Sequence, residues 1–150
     1  MLEKLLSEER IKIGMEARTK EEALKELVEL LNLSDESKQI ILDALKKREV
    51  IGSTGIGRGI AIPHTRSTIV NEVYLIIGVS RDGVDFQSID NQPVHLFFLL
   101  VAPPNDPGTM YLIVLGKIAQ IAKRIAKENI DYLSIKDKKE LIQLILSLEA

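Results

Sequence analysis

The chain has 150 residues, of which 45% are hydrophobic and 28% charged, so it is long enough to bury a core as one domain spanning residues 1–150. Twenty Lys and Arg against 22 Asp and Glu leave a net charge of -2, which argues against a general nucleic-acid binder. Because there is no cysteine, disulfides, thiolate metal sites and a cysteine nucleophile are excluded, and His64 and His95 are the two histidines.

The apolar runs fall short of the roughly 18 to 20 residues that a membrane-spanning helix needs. The first ten residues, MLEKLLSEER, are charged where a signal peptide would be apolar. The sequence therefore predicts a cytoplasmic location and no direct membrane insertion.

Two helices are predicted between residues 19 and 50. Thr19 and Glu22 have the spacing of a capping box, and an apolar stripe at helical spacing follows them. A second helix is expected after Ser34, with Ile40, Ile41, Leu42 and Leu45 on its buried face and an end near Val50.

From residue 60 onwards, a run of strands is predicted, followed by two helices. Residues 60–62, 73–79 and 94–101 are predicted strands, with a turn at Asp82 and Gly83 between the last two. A long helix is expected from Thr109, with this buried face: Leu112, Leu115, Ile118, Ala119, Ala122 and Ile125. A last helix is expected at residues 137–148. This order predicts an α/β fold, a three-layer sandwich in which helices flank both faces of a mixed β-sheet.

Residues 48–66, REVIGSTGIGRGIAIPHTR, combine a glycine-rich loop, a histidine behind a proline and three arginines, which is typical of an anion site. A Walker A loop requires Lys and Ser or Thr after its last glycine, where Arg58 and Gly59 stand. The dinucleotide pattern G-x-G-x-x-G also fails, because the glycines run as G-x-G-x-G and follow a helix. The loop sequence therefore predicts a binding site for neither a nucleoside triphosphate nor a dinucleotide.

His64 is the candidate nucleophile of this segment. An unperturbed histidine titrates near pH 6.5, so at pH 7 it is largely neutral and has a free lone pair with which to attack phosphorus. Nearby guanidinium groups and loop amides would balance the charge of a phosphoryl group. For Arg58 and Arg66, a role in steering an acidic partner and simple solvation both remain open.

The string GSTGIGRGIAIPH, with Arg48-Glu49 before it and Asp85-Phe86, Asp90 and Gln92-Pro93-Val94 after it, resembles the IIA domains of the fructose-mannitol class of the bacterial sugar phosphotransferase system, nitrogen-regulatory branch included. The resemblance covers nearly the whole chain. It implies a phosphotransferase that accepts a phosphoryl group on His64 from a phosphorylated histidine carrier protein and passes it to a IIB domain for sugar uptake. It also implies a mixed-sheet α/β sandwich and no cofactor.

The resemblance further implies site residues. Arg48 matches the arginine that contacts the phosphate, and Thr54 with the loop amides of Gly55, Gly57 and Gly59 is expected near it. Many members carry a second histidine at the start of the long helix, whereas this chain has Tyr111 there. A tyrosine donates one hydrogen bond but takes no positive charge near neutral pH. This departure weakens the sugar-transport interpretation relative to a regulatory one.

Two alternatives to sugar transport remain. In the first, the chain is a nitrogen-regulatory-type IIA module whose phosphorylation state controls binding to a regulatory partner. In the second, it binds a small anion without a covalent step. His95 lies inside a strongly apolar strand, which favours a structural or surface role over a chemical one. One candidate histidine with scattered carboxylates predicts no metal site.

Overall fold

The structure is a computed structural model that describes residues 1–106 and 109–149. The helices in chain order are α1 (Lys20–Val28), α2 (Asp35–Ile51), α3 (Met110–Glu128) and α4 (Lys138–Leu148). The strands are β1 (Ile11–Ile13), β2 (Gly55–Gly57), β3 (Ile60–Ala61), β4 (His64–Arg66), β5 (Tyr74–Val84) and β6 (Val94–Ala102). The sequence also predicts that Pro107 and Gly108, together with Pro103 and Pro104, end the last strand, but Pro107 and Gly108 lie outside the described residues.

All six strands belong to one mixed sheet, in which β6 is the central strand. On one side β6 pairs antiparallel with β5, and β1 extends the sheet beyond β5 in parallel. On the other side β3 and then β4 pair parallel with successive stretches of β6. The short strand β2 folds back on β3 as the outer strand of a hairpin. The chain therefore meets β6 twice within seven residues, first through Ile60 and then through His64.

Helices cover both faces of the sheet, which confirms the predicted α/β sandwich. Phe98 and Leu100 of β6 pack into a core with α3 and α4, whereas Phe97 and Leu99 pack into a second core with α1 and α2. Because alternate side chains of a strand point to opposite faces, a central strand buried on both sides is apolar almost throughout. Among the described residues, no helix is both long enough and apolar enough to cross a membrane.

The helix starts follow from local hydrogen bonds. Thr19 and Glu22 form the predicted capping box, in which the Thr19 hydroxyl accepts from the Glu22 amide and the Glu22 carboxylate accepts from the Thr19 amide. The Ser34 hydroxyl accepts from the Ser37 amide and begins α2, which runs to Ile51, one residue past the predicted end.

Two kinds of prediction about local structure were wrong, a turn and parts of two buried helix faces. Asp82 and Gly83 lie within β5, where the pairing with β6 shifts between Val79 and Val84, and the connection to β6 comes after Val84. Gly83 has a φ of +88°, which a bulged strand accommodates as readily as a turn does. The predicted buried faces also included three side chains that are exposed: Ile40, Leu112 and Ala119.

Candidate functional site

The candidate site is built where the carboxyl end of β6 meets the end of α2 and the start of α3. His64 opens β4 and pairs with Leu100 near the end of β6. Pro63 lacks an amide hydrogen and separates β3 from β4, so the chain can leave β6 and return to it. Arg48 comes from the last turn of α2, and Tyr111 from the first turn of α3. Each helical layer therefore contributes one side chain near the histidine.

The imidazole of His64 is held by its own backbone neighbourhood. Its Nδ1 lies 2.6 Å from the carbonyl oxygen of Ile62. A carbonyl oxygen can only accept, so Nδ1 carries the hydrogen and donates it. In a neutral imidazole the lone pair then resides on Nε2, which becomes the nucleophilic atom. The ring is partly exposed, so a reaction partner can reach it.

Tyr111 is the aromatic neighbour of His64. The two ring centroids are 6.3 Å apart, with the planes inclined at 54°. The guanidinium carbon of Arg66 lies 4.5 Å from the Tyr111 ring centroid, a cation–π contact. Burial raises the pKa of the Tyr111 phenol, while the positive charges of Arg66 and Arg48 oppose that rise. Both arginines therefore act electrostatically on the residue beside His64.

The backbone around these side chains is fixed by further hydrogen bonds. A guanidinium nitrogen of Arg48 donates to the Gly52 carbonyl oxygen over 2.8 Å, which joins the arginine to the chain leaving α2. The Tyr111 amide donates to a carboxylate oxygen of Asp106 over 2.6 Å, which fixes the start of α3. Hydrogen bonds therefore fix the two helix ends that border the site.

Of the predicted phosphate-binding residues, Thr54 and Gly55 lie on the chain segment that reaches the site. The Thr54 carbonyl accepts from the Ile62 amide over 3.0 Å, and Thr54 is buried. Gly55 pairs with Ala61, one step further from His64. Their contact with a phosphoryl group stays a prediction.

Gly57 and Gly59 lie at the other end of the β2–β3 hairpin. The Gly59 carbonyl accepts from the amides of His95 and Leu96, whereas His64 pairs with Leu100. Four residues of strand separate these two points on β6, about 13 Å. The structure does not bring these glycines next to His64, and their phosphate-binding role stays a prediction.

The three arginines of the segment are divided in the same way. Arg58 donates to the Ala126 carbonyl in the last part of α3, roughly 20 Å along the helix from Tyr111. Arg66, in contrast, lies over Tyr111. Residue spacing alone gave Arg58 and Arg66 equal weight as site residues. Strand alternation separates them, because Arg66 is two residues after His64 and therefore lies on the same side of β4.

His95 has the structural position that its apolar strand predicted, with Nδ1 2.8 Å from the Ser80 carbonyl oxygen. Within residues 1–106 and 109–149, no group of three or more His, Asp or Glu side chains is arranged to hold a metal ion. A groove near the end of α2 has a volume of about 560 Å³ and is lined by α1, α2 and residues that follow β5. His64 is not among its lining residues.

Comparison with known proteins identifies the family of the chain. Residues 4–148 match the family model of the phosphoenolpyruvate-dependent sugar phosphotransferase system, EIIA 2. The chain belongs to this family, whose members are components of a phosphotransferase system. It is 36% identical over 122 residues to the fructose-specific EIIABC component of Bacillus subtilis, covering 80% of this chain but only 19% of that longer protein.

Two solved structures extend the comparison. The nitrogen regulatory protein IIA-Ntr of Neisseria meningitidis superposes with a TM-score of 0.77 at 30% identity, covering 95% of this chain and 97% of that one. The mannitol IIA enzyme of Escherichia coli, solved in complex with phosphorylated mannitol IIB, gives a TM-score of 0.71 at 21% identity, covering 95% of this chain and 97% of that one. The second likeness shows the shared fold.

Proposed function

We propose that this chain, as one IIA domain over residues 1–150, is a phosphocarrier that accepts a phosphoryl group on Nε2 of His64. The donor is a phosphorylated histidine carrier protein, and the acceptor is a IIB domain of a fructose- or mannitol-class transporter. The observation that carries the proposal is the hydrogen bond from His64 Nδ1 to the Ile62 carbonyl, because it leaves the Nε2 lone pair free. With such partners the protein acts in the cytoplasm.

In the proposed step, the Nε2 lone pair of His64 attacks the phosphorus of the donor's phosphohistidine. The bond between phosphorus and the donor nitrogen breaks, and its electron pair stays on that nitrogen, so the donor leaves as a neutral imidazole. His64 keeps its Nδ1 proton, still bonded to Ile62, and becomes a phosphorylated imidazolium. The reverse arrangement passes the group to the next acceptor. Neither a metal nor an organic cofactor enters this balance.

Arg48 and Arg66 are the groups that we propose to stabilise the phosphoryl oxygens during transfer. Guanidinium groups bind such oxygens with charge-assisted hydrogen bonds. Tyr111 cannot carry a positive charge in the way that a second histidine would, so the cationic contribution on this side of His64 falls to Arg66. Thr54 and Gly55, which lie on the segment that reaches the site, are minor contributors to the same cradle, and Gly57 and Gly59 are not included.

The test is phosphorylation in a reconstituted system. The purified chain is incubated with phosphoenolpyruvate, enzyme I and the histidine carrier protein, and its intact mass is measured. We expect one acid-labile phosphoryl group, which His64→Gln abolishes and the matched variant His95→Gln retains. No mass increase, or an increase that survives His64→Gln, would contradict the proposal. Phosphate that is retained without a covalent bond in both variants would favour a simple anion-binding protein.

A second candidate function is supported by the likeness to the nitrogen regulatory protein of Neisseria meningitidis. In that case the phosphorylation state of His64 changes the affinity for a regulatory partner. The two functions are separated by mixing the phosphorylated chain with IIB domains encoded in the same genome. Transfer to a IIB domain supports sugar uptake, whereas no transfer to any of them supports regulation.

A further inference from the structure

A buried carboxylate lies behind the site, in the last turn of α2. Glu49 follows Arg48, and its side chain is only 4% exposed. One carboxylate oxygen accepts the Thr54 amide over 3.0 Å, and the other accepts the Thr54 hydroxyl. The ammonium group of Lys20, in α1, lies 3.3 Å from the first oxygen. The carboxylate therefore binds two hydrogens of one residue and pairs with one cation.

Burying an ionised carboxylate costs several kcal/mol unless hydrogen bonds and an opposite charge offset the loss of water. Glu49 has both, but it supplies no charge to a phosphoryl group, since a second anion would repel it. The group that Glu49 holds in place is Thr54.

Thr54 is connected to the nucleophile through two more hydrogen bonds. Its carbonyl oxygen accepts the Ile62 amide over 3.0 Å. The Ile62 carbonyl in turn accepts Nδ1 of His64 over 2.6 Å. An uninterrupted path of fixed polar groups thus runs from Glu49 through Thr54 and Ile62 to the imidazole; we call it the Glu49 path.

We propose that Glu49 is a positioning residue for His64, which acts through the Glu49 path to orient the imidazole and to keep its hydrogen on Nδ1. The inference rests on the proposed function, because orientation and tautomer matter only if Nε2 is the nucleophile. If Thr54 is not held, the Ile62 carbonyl is free to shift away from Nδ1. The tautomer with hydrogen on Nε2 then becomes populated, and that form has no lone pair there to attack phosphorus.

The primary variant is Glu49→Gln, and the matched control is Glu36→Gln, which neutralises an exposed glutamate of the same helix. We expect Glu49→Gln to lower kcat for phosphorylation about 10-fold to 100-fold, the range found when groups that orient a reactive residue are removed. KM for the donor protein should not change, because Glu49 is buried. Glu36→Gln should match the wild type in both constants.

A second measurement reports the tautomer directly. Chains labelled with ¹⁵N at histidine are studied in the unphosphorylated state by long-range ¹H–¹⁵N NMR at a pH where the imidazole is neutral. The wild type and Glu36→Gln should show the His64 hydrogen on Nδ1, and Glu49→Gln should show a mixture. His95, which is held by the Ser80 carbonyl, serves as the internal reference and should be unchanged.

A variant of Thr54 keeps the proposal testable if Glu49→Gln fails to fold. Thr54→Val removes the hydroxyl but leaves the amide bonded to Glu49, so it should shift the tautomer less, and Thr54→Ser should restore it. Because the free chain is measured, a lost phosphate contact cannot mimic this result.

The role of Glu49 would be overturned if folded Glu49→Gln had the wild-type rate and tautomer. If Glu49→Gln does not fold, the same result in Thr54→Val would overturn it. Either result would leave His64 as the phosphorylated residue. Failure of the wild-type chain to become phosphorylated would overturn the proposed function itself.

Discussion

Among the residues of the motif, Arg66 is the one whose expected role the structure changes most. The sequence offers three arginines near His64, and the family resemblance favours Arg48. In the folded chain Arg66 lies over the ring of Tyr111, whereas Arg58 donates to the far part of α3. The cationic side of the site is therefore composed of Arg48 and Arg66.

Replacing these arginines one at a time should separate their roles. A hydrogen bond to a charged group contributes about 1.5 to 3 kcal/mol, so Arg48→Ala and Arg66→Ala should each slow phosphorylation of His64 by roughly 10-fold to 100-fold. Arg58→Ala should leave the rate within about twofold of the wild type, since its guanidinium lies outside the site. Single-turnover rates with the phosphorylated carrier protein check this order. A larger loss for Arg58→Ala than for Arg66→Ala would contradict it.

Tyr111 should make the free energy of unfolding of the chain depend on pH in the alkaline range. Burial raises its pKa above the ordinary value of 10.0. Below pH 10 both folded and unfolded chains keep the phenol protonated, so the stabilising contribution is complete. Above pH 10 the unfolded chain releases the proton first, and the contribution is lost as the pH approaches the raised pKa of the folded state.

Urea unfolding between pH 8 and pH 11, on the wild type and Tyr111→Phe, tests this sign. The free energy of unfolding should fall more steeply above pH 10 in the wild type, because the variant has no phenol at this position. All other ionisable groups are common to both proteins and cancel in the difference. Parallel curves would show that Tyr111 does not contribute.

At the scale of elements, prediction from sequence succeeded where a local signal was strong. The capping box at Thr19 and the long apolar stretch of β6 each determine their structure within a few residues. The strands β1, β2 and β4 were not predicted, because three residues are too few for a period-two pattern. They form through pairing with β5, β3 and β6, which is long-range information.

The candidate site shows the same division. His64 could be selected as a candidate from the motif, since its residue type and surroundings carry the chemistry, whereas Arg48 was selected through the family resemblance. The alignment of Arg66 with Tyr111, and the hydrogen bonds of Glu49 to Thr54, depend on how α2, β4 and α3 converge. Such contacts join residues that are close in space for tertiary reasons, and a single sequence carries no direct record of them.

Gly55 provides a prediction for the β2–β3 hairpin. A Cβ atom at this position would lie 2.2 Å from the Ser88 hydroxyl oxygen and 3.1 Å from the Ser88 Cα. The second atom is backbone and cannot rotate away. Gly55→Ala should therefore lower the free energy of unfolding by about 1 to 3 kcal/mol, the cost of overpacking.

The matched control is Gly116→Ala, in the exposed part of α3, where an added Cβ meets no atom within 4 Å among the described residues. It should be stabilising by about 0.5 to 1 kcal/mol, because alanine is a better helix former than glycine. Urea unfolding midpoints measure both effects, and Ser88→Gly combined with Gly55→Ala should recover part of the loss. A neutral Gly55→Ala variant would show that the hairpin can move away from Ser88.

At the scale of the whole molecule, the sandwich places the ends of two helices from opposite layers beside one histidine. Arg48 lies in the last turn of α2 on one face of the sheet, and Tyr111 lies in the first turn of α3 on the other face. With a net charge of -2, the chain has no general attraction for an anionic partner. Under the proposed function, the positive charge that a phosphoryl group needs is therefore local, supplied where the two layers meet at the end of β6.

The same two helix ends expose apolar side chains. Val50 and Ile51 at the end of α2 are 87% and 83% exposed, and Leu112 and Ile113 at the start of α3 are 56% and 41% exposed. Exposed apolar groups on both sides of a reactive residue are typical of a surface that binds a partner protein. We refer to these four residues as the apolar rim. Under the proposed function, the apolar rim contacts the phosphorylated carrier protein during transfer.

Ile51→Ser and Leu112→Ser should therefore raise KM for the carrier protein about 10-fold, as removal of a contact worth more than 1 kcal/mol does, and leave kcat unchanged. The matched control is Ile40→Ser, which replaces a 49% exposed isoleucine of the same helix α2. Phosphorylation by a small phosphoramidate donor should be equal in all variants, because such a donor reaches His64 without touching the apolar rim. Unchanged KM values would remove the apolar rim from the docking surface, and an equal loss with the small donor would show that the substitutions disturb His64 itself.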